Sequence, residues 1–220
     1  MVKQAFLRSI PVLMGYSVLG IAFGLLLHSI GYNWMWALLI STTVFAGSMQ
    51  FVLVGLLAEQ APLATVAITT LLVNSRHLFY GLSFIERFKA MGKKGLYMIF
   101  SLTDETYALL CGVPEDEQGL SFTIAALNQL YWIVGSVIGA LLGSLISFNT
   151  AGIEFAMTAL FSVIVVEQWL SGSYHSSALI GAGCAILSLV VLGPSHFLLP
   201  ALIVTLLFLL VVPESTKEGQ

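Results

Sequence analysis

Apolar residues fill long, nearly unbroken runs along this chain, at 10–27, 34–58, 62–85, 96–112, 120–146, 153–170, 176–192 and 197–212. A helix that crosses a bilayer needs about 20 mostly apolar residues and must satisfy its own backbone groups. The polar punctuation, at 28–33, 59–62, 86–95, 114–119, 147–152 and 171–175, is too short to hold a soluble domain. The pattern therefore predicts an all-α, multi-pass membrane protein, one transmembrane domain over 1–220 with about seven spans, some of them broken or re-entrant. The first run leads into no polar mature domain, so it is read as a retained helix rather than a cleaved signal peptide.

Short-loop charge sets the expected orientation. Lys3 and Arg8 near the N-terminus, and Arg87, Lys89, Lys93 and Lys94 in 86–95, belong in the cytoplasm. The loop 114–119, PEDEQG, has no basic residue and is placed outside. Three runs separate residue 8 from residue 87, so one of them must fail to cross. The third is the candidate, because Asn74-Ser75-Arg76-His77 interrupts it and suits a pair of half-helices that meet at mid-membrane. A weak internal repeat fits this reading. A shift of 119 residues aligns Gly20 with Gly139, Gly24 with Gly143 and His77 with His196, giving halves 10–85 and 129–212 joined by a helix at 96–112. With one re-entrant hairpin per half, the first helices of the two copies are expected to run in opposite directions, as in inverted-repeat transporters.

Composition narrows the function. The chain has 220 residues, 58% hydrophobic and 9% charged, with a mean hydropathy of +0.98. Soluble domains carry roughly a quarter charged residues, which excludes a soluble enzyme. Eight Lys+Arg against 11 Asp+Glu leave no basic face for nucleic acid. Cys111 and Cys184 form neither a disulfide framework nor a zinc spacing. No GxxxxGK[ST] nucleotide motif, HExxH metal motif or GxSxG nucleophile motif is present, and no cofactor is expected.

A few polar groups remain inside the apolar runs: Gly47-Ser48-Met49-Gln50, Asn74-Ser75-Arg76-His77, Thr103-Asp104-Glu105-Thr106, Asn128-Gln129 and Glu167-Gln168. Arg76, Asp104 and Glu105 facing lipid would together cost about 7–10 kcal/mol, so they must face the protein interior. Pairing of Asp104 or Glu105 with Arg76 is the natural arrangement. A buried pair that only fixes helix register is the bland alternative; a substrate or proton site is the sharper one. Arg76 and the amides opening a half-helix suit an anion, with Asn74 beside them, and Asp104 or Glu105 suits an ammonium group or a proton. His77 is a further candidate for proton coupling. Gly47 and Gly81 allow close backbone approach. With Phe45, Phe51, Phe79, Leu72 and Val73 as an apolar wall, the site fits a zwitterion with a hydrophobic side chain. His28 and His175 are read as solvated loop residues, Glu154 as a helix-start carboxylate, and Tyr131, Trp132, Trp34, Trp36 and Trp169 as an interfacial aromatic belt.

At these positions the chain resembles the AzlC family, the large subunit of bacterial branched-chain amino acid exporters. The resemblance runs from Gly15-Tyr16-Ser17 to the last apolar run. It is carried by Phe45-Ala46-Gly47-Ser48-Met49-Gln50-Phe51, by Asn74-Ser75-Arg76-His77-Leu78-Phe79-Tyr80-Gly81, and by Leu102-Thr103-Asp104-Glu105-Thr106-Tyr107. It implies a multi-pass permease of the bacterial inner membrane that exports valine, leucine or isoleucine together with a small AzlD-type membrane subunit. The residues it carries over are Gln50, Asn74, Arg76, His77, Asp104 and Glu105. Their expected roles follow from charge: Gln50, Asn74, Arg76, Asp104 and Glu105 at the substrate, with His77, Asp104 or Glu105 holding a coupling proton. Met49 stands where the family pattern suggests a smaller residue. The alternative is a channel or permease for another small amphoteric solute; an intramembrane enzyme or a purely structural subunit fits the motifs less well.

Overall fold

The computed structural model describes residues 1–145, 175–193 and 197–211, with Ser162, Val165, Val166 and Trp169. Among these residues all regular structure is helical: α1 (Val2–Ser29), α2 (Trp34–Thr43), α3 (Gly47–Ala58), α4 (Leu63–Val73), α5 (Arg76–Ser83), α6 (Ile85–Ala90), α7 (Lys93–Phe100), α8 (Asp104–Cys111), α9 (Gln118–Leu145), α10 (His175–Leu192) and α11 (Leu198–Val211). Of the described helices, α1 and α9 are long and apolar enough to cross a membrane. The chain divides into two compact units, 1–61 with 73–157 and 62–72 with 158–220.

The first unit is built on α1 and α9, which lie side by side with backbone against backbone. A Cβ on Gly24 would fall 2.1 Å from the Ser136 carbonyl oxygen, and one on Gly139 would fall 2.1 Å from that of Ile21. Gly20 sits on Gly135 and Ser136, and Gly143 on the His28 ring. Glycine at four-residue spacing on both helices allows this approach, and packing contact is what drives helix association in an apolar solvent. At the start of α9, Gly119 meets the Met1 side chain. Contacts thus advance together along both helices, so α1 and α9 run parallel.

Between them the chain turns back twice. Asn33 caps α2 by accepting from the amides of Met35 and Trp36. At the other end Thr42 and Thr43 return their hydroxyls to the Leu38 and Leu39 carbonyls, and Phe45 takes a positive φ of 38°, which ends the helix. Gln50 of α3 then donates to Ser41 of α2 at 3.4 Å. Nine residues of continuous helix would hold those two about 13 Å apart. Phe45 packs on Tyr16, half-way along α1, and Phe51 on Phe23 two turns further on, so α3 returns to the end where α2 began.

The second reversal enters from the opposite end. Lys94, opening α7, lies over the Phe122 ring at 5.4 Å. Arg87 bridges from α6 to the carbonyls of Leu110 (3.2 Å) and Val113 (3.0 Å) and to the Ser121 hydroxyl. Both ends of α7–α8 therefore sit beside the first turns of α9, although a straight helix from Lys94 to Leu110 would be about 24 Å long. Met98 and Leu110, one on each arm, share an apolar cluster with Phe84, Phe88 and Ala125. The turn at Ser101-Leu102-Thr103 lies half-way up α1 and α9, where Thr103 meets Tyr16. In the second unit α10 ends at Gly193, whose φ is +74°, and a Cβ on Gly181 of α10 would touch Thr205 of α11 at 3.7 Å.

These reversals correct several expectations. The run 62–85 is broken at Asn74-Ser75. Within the first unit the runs 34–58 and 96–112 fold back, and residues 8 and 87 share an end. The acidic loop lies at that same end: Arg8 donates to the Gly112 carbonyl, and Arg87 to that of Pro114. Since 96–112 returns rather than spans, nothing carries PEDEQG to the opposite face. The parallel course of α1 and α9 replaces the opposed course expected for first helices of inverted copies. Arg87 is buried rather than solvated; burial lowers the pKa of its guanidinium, and the Glu115 carboxylate opposes the shift. His28 closes the last turn of α1 with its Nδ1 buried, instead of lying in a loop. Glu154, Glu167, Gln168 and His196 lie outside the described residues.

Two outcomes follow. Gly24→Val or Gly139→Val should cost more than the 1–3 kcal/mol usual for overpacking, because the obstacle is backbone. Gly15→Ala, with nothing within 4 Å, should cost less than about 0.5 kcal/mol; thermal unfolding in detergent reads the difference. In a background with Cys111 and Cys184 replaced by alanine, Lys89→Cys and Asp116→Cys should react with an impermeant thiol reagent from one face, and Gln60→Cys from the other.

Candidate functional site

Both reversals bring helix ends to the middle of α1 and α9, and the polar residues gather there. Thr103 caps α8: its Oγ1 accepts the Thr106 amide at 3.3 Å. Asp104 and Glu105 fill the first turn, where the positive end of the helix dipole favours carboxylates. Tyr16, 4% exposed, donates to Glu105 Oε2 at 2.6 Å and lies 2.7 Å from Thr103 Oγ1. Thr103 and Thr106 hydroxyls are 3.1 Å apart, and Asn128 Nδ2 donates to Thr106 Oγ1 at 3.0 Å. Asn128 is fully buried, and its Oδ1 has no partner among the described residues.

A second group surrounds the break between α2 and α3. Gln50 is fully buried, accepts from the Trp132 indole N–H and donates to Ser41. A Cβ on Gly47 would meet the Trp132 ring at 3.2 Å, so glycine here seats the helix start on the indole. Gln129 donates to the Thr42 carbonyl at 3.2 Å, meeting one of the unsatisfied carbonyls at the end of α2, and accepts from Tyr97 at 2.7 Å. The two groups touch where the Tyr16 ring meets Trp132 edge-on, with centroids 5.2 Å apart. The residue before α3 is Ala46, whose side chain makes no capping hydrogen bond to the amides that open the helix.

The third polar motif forms the turn between α4 and α5. The Asn74 carbonyl accepts the His77 amide at 3.0 Å and faces His77 Nδ1 at 3.1 Å. Asn74 Oδ1 is buried without a partner among the described residues. Arg76 is the first residue of α5; its side chain lies outside the described residues. His77 packs edge-on against Tyr80, which stacks on Tyr107 of α8 at 4.7 Å, so aromatic contacts link the motif to the helix carrying Asp104 and Glu105. A Cβ on Gly81 would meet nothing within 4 Å, so glycine there serves no close backbone approach. Among the described residues no group of three or more His, Cys, Asp or Glu could hold a metal ion.

The sequence reading missed the partners. Tyr131 and Trp132 are 8% and 2% exposed, mid-helix anchors rather than belt residues, and Tyr131 pairs with Ser9 at 3.0 Å. Their position eleven or more residues inside the run 120–146, beside Asn128-Gln129, was the available signal. Tyr16 was visible only as part of Gly15-Tyr16-Ser17.

Comparison with known proteins identifies relatives of this chain. The AzlC protein family model matches residues 11–146, which hold every described element of the site. Over 222 aligned positions the chain is 39% identical to the Bacillus subtilis branched-chain amino acid transport protein AzlC, covering 99% of this chain and 87% of that one. It is 42% identical to a Helicobacter pylori membrane protein, covering 94% of this chain and 93% of the other, and 26% identical to the Escherichia coli inner membrane protein YgaZ, covering 78% and 73%. No solved structure matches it. An all-helical membrane protein with three polar motifs in this order, matched over more than half its length by one family, is what remains: the chain belongs to the AzlC family.

Proposed function

We propose that this protein is the carrier subunit of a secondary exporter that moves valine, leucine and isoleucine out across the bacterial cytoplasmic membrane, as a multi-pass protein working with a small AzlD-type membrane subunit. The observation that carries the reading is that two helices start half-way along α1 and α9, α3 behind an alanine whose side chain cannot cap it and α8 with two carboxylates in its first turn. That pairing suits a zwitterion: an anion meets backbone amides, and an ammonium group meets Asp104 or Glu105. Arg76 and Asn74 are assigned to the substrate carboxylate, with Gln50 on the α3 side of the site. Phe45, Met49 and Phe51, all nearly buried, provide the apolar surroundings that a branched side chain needs. The name of the Bacillus subtilis relative supports the substrate class.

Export is powered in this reading by protons, taken up on one face and released on the other by a carboxylate or by His77. The chain is read as a carrier and not an enzyme, since the polar groups are arranged to hold charge and none is a nucleophile paired with a base.

Cells fed a valine-containing dipeptide accumulate valine and must export it. Arg76→Ala and Asp104→Asn should each lower valine efflux by about tenfold or more, the effect of losing a charge-assisted hydrogen bond. Unchanged efflux in both variants overturns the site assignment. Flux that rises linearly with valine and never saturates would favour a channel.

A further inference from the structure

Resting on the proton-coupled reading, we infer that Glu105 is the residue that carries the coupling proton, and that Tyr16, Thr103, Thr106 and Asn128 form a hydrogen-bond relay built to accept both of its protonation states. Tyr16, Thr103 and Thr106 each have one hydroxyl hydrogen, and each stands between two oxygen or amide partners. With Glu105 ionised, Tyr16 donates to it and Thr103 donates to Tyr16; Thr103, which donates to Thr106 in the fold as it stands, then accepts from the Thr106 hydroxyl instead. Asn128 Nδ2 then donates to Thr106. Every bond points toward the carboxylate, and Asn128 Oδ1 is left over, which is the buried orphan acceptor observed.

With Glu105 protonated, every bond can reverse. The carboxyl O–H donates to Tyr16, Tyr16 to Thr103, and Thr103 to Thr106. Thr106 then needs an acceptor, and a half-turn of the Asn128 amide puts Oδ1 where Nδ2 now stands, 3.0 Å from Thr106 Oγ1. One proton is gained at Glu105 and no other atom changes its count of covalent hydrogens. An asparagine at the end suits this task, because one face of its amide donates and the other accepts. A leucine of similar volume would pack as well without either.

Glu105 is the one carboxylic acid within this hydrogen-bond relay. α1 presents Tyr16, α9 presents only the amides of Asn128 and Gln129, and α8 itself adds Asp104 one position earlier. Arg76 and His77 lie at the start of α5, and His77 is engaged within its own turn. The relay also spans three helices, α1, α8 and α9, so proton binding is felt on both long helices at once.

The test separates gradient-driven transport from exchange. The protein is reconstituted with the small partner subunit in liposomes, and radiolabelled valine flux is followed under an imposed pH gradient. The second readout is valine–valine exchange without a gradient, which needs no net proton movement. Tyr16→Phe and Thr106→Val should lower gradient-driven flux about tenfold or more, the scale of a lost acid–base group, while exchange stays within about twofold of the parent. Asn128→Leu should behave the same way, and a monodisperse elution profile shows that the variants are folded. Equal loss of both readouts, or loss of neither, overturns the relay. If the parent protein exchanges valine but ignores the pH gradient, the proton-coupled reading itself fails.

Discussion

Two helices that touch through glycine set the frame for everything else in the first unit. α1 and α9 approach until a methyl group would collide with the opposing backbone at Gly24 and Gly139. In lipid there is no hydrophobic force between apolar helices, so close packing and shared polar contacts must hold them. The contact fixes the register along both helices, which sets Tyr16 beside Trp132 and leaves Asn128 at the level of the α7–α8 turn. Each reversal then docks onto a ready-made surface. The α2–α3 turn seats on Trp132 and Tyr16, and the α7–α8 turn on Tyr16 and Asn128.

Irregular backbone deep in a membrane protein is tolerated only where its polar groups find partners inside the protein. Here the partners come from α9 and from side chains of the turns themselves. Gln129 answers the Thr42 carbonyl, and Thr103 answers the Thr106 amide. Arg87 does the same at the open end of the second hairpin, where it closes three carbonyls with one guanidinium. A basic residue that looks like a topology signal thus also serves as a cap for the chain end of α8, while the acidic loop stays on the same side because 96–112 returns.

Much of the site was legible in the sequence, because polar residues in apolar runs are costly and so stand out: Gln50, Asn74, Asp104 and Glu105 all lie at breaks or helix starts in the fold. The family resemblance rested on those same motifs. The hairpins were not legible. Hydropathy counts apolar residues without regard to direction, so 34–58 and 96–112 look the same whether the chain crosses or returns. The decisive signs are a positive φ at Phe45 and a hydrogen bond from Gln50 to Ser41, and both depend on tertiary contacts. Trp132 was misread because aromatic side chains serve equally well at an interface and in a packed interior. The glycines of α1 and α9 were noticed as a repeat, whereas in the fold they are each other's packing partners.

The central claim is that the segment carrying Asp104 and Glu105 turns back half-way through the membrane. A nitroxide scan along 93–112, with depth read from collisions with oxygen and a water-soluble nickel complex, tests it directly. The account predicts shallow labels near Lys94 and Gly112 and the deepest at Ser101 to Thr103, with both shallow ends open to the same aqueous face. A depth profile that passes steadily from one face at Lys94 to the other at Gly112 would contradict it.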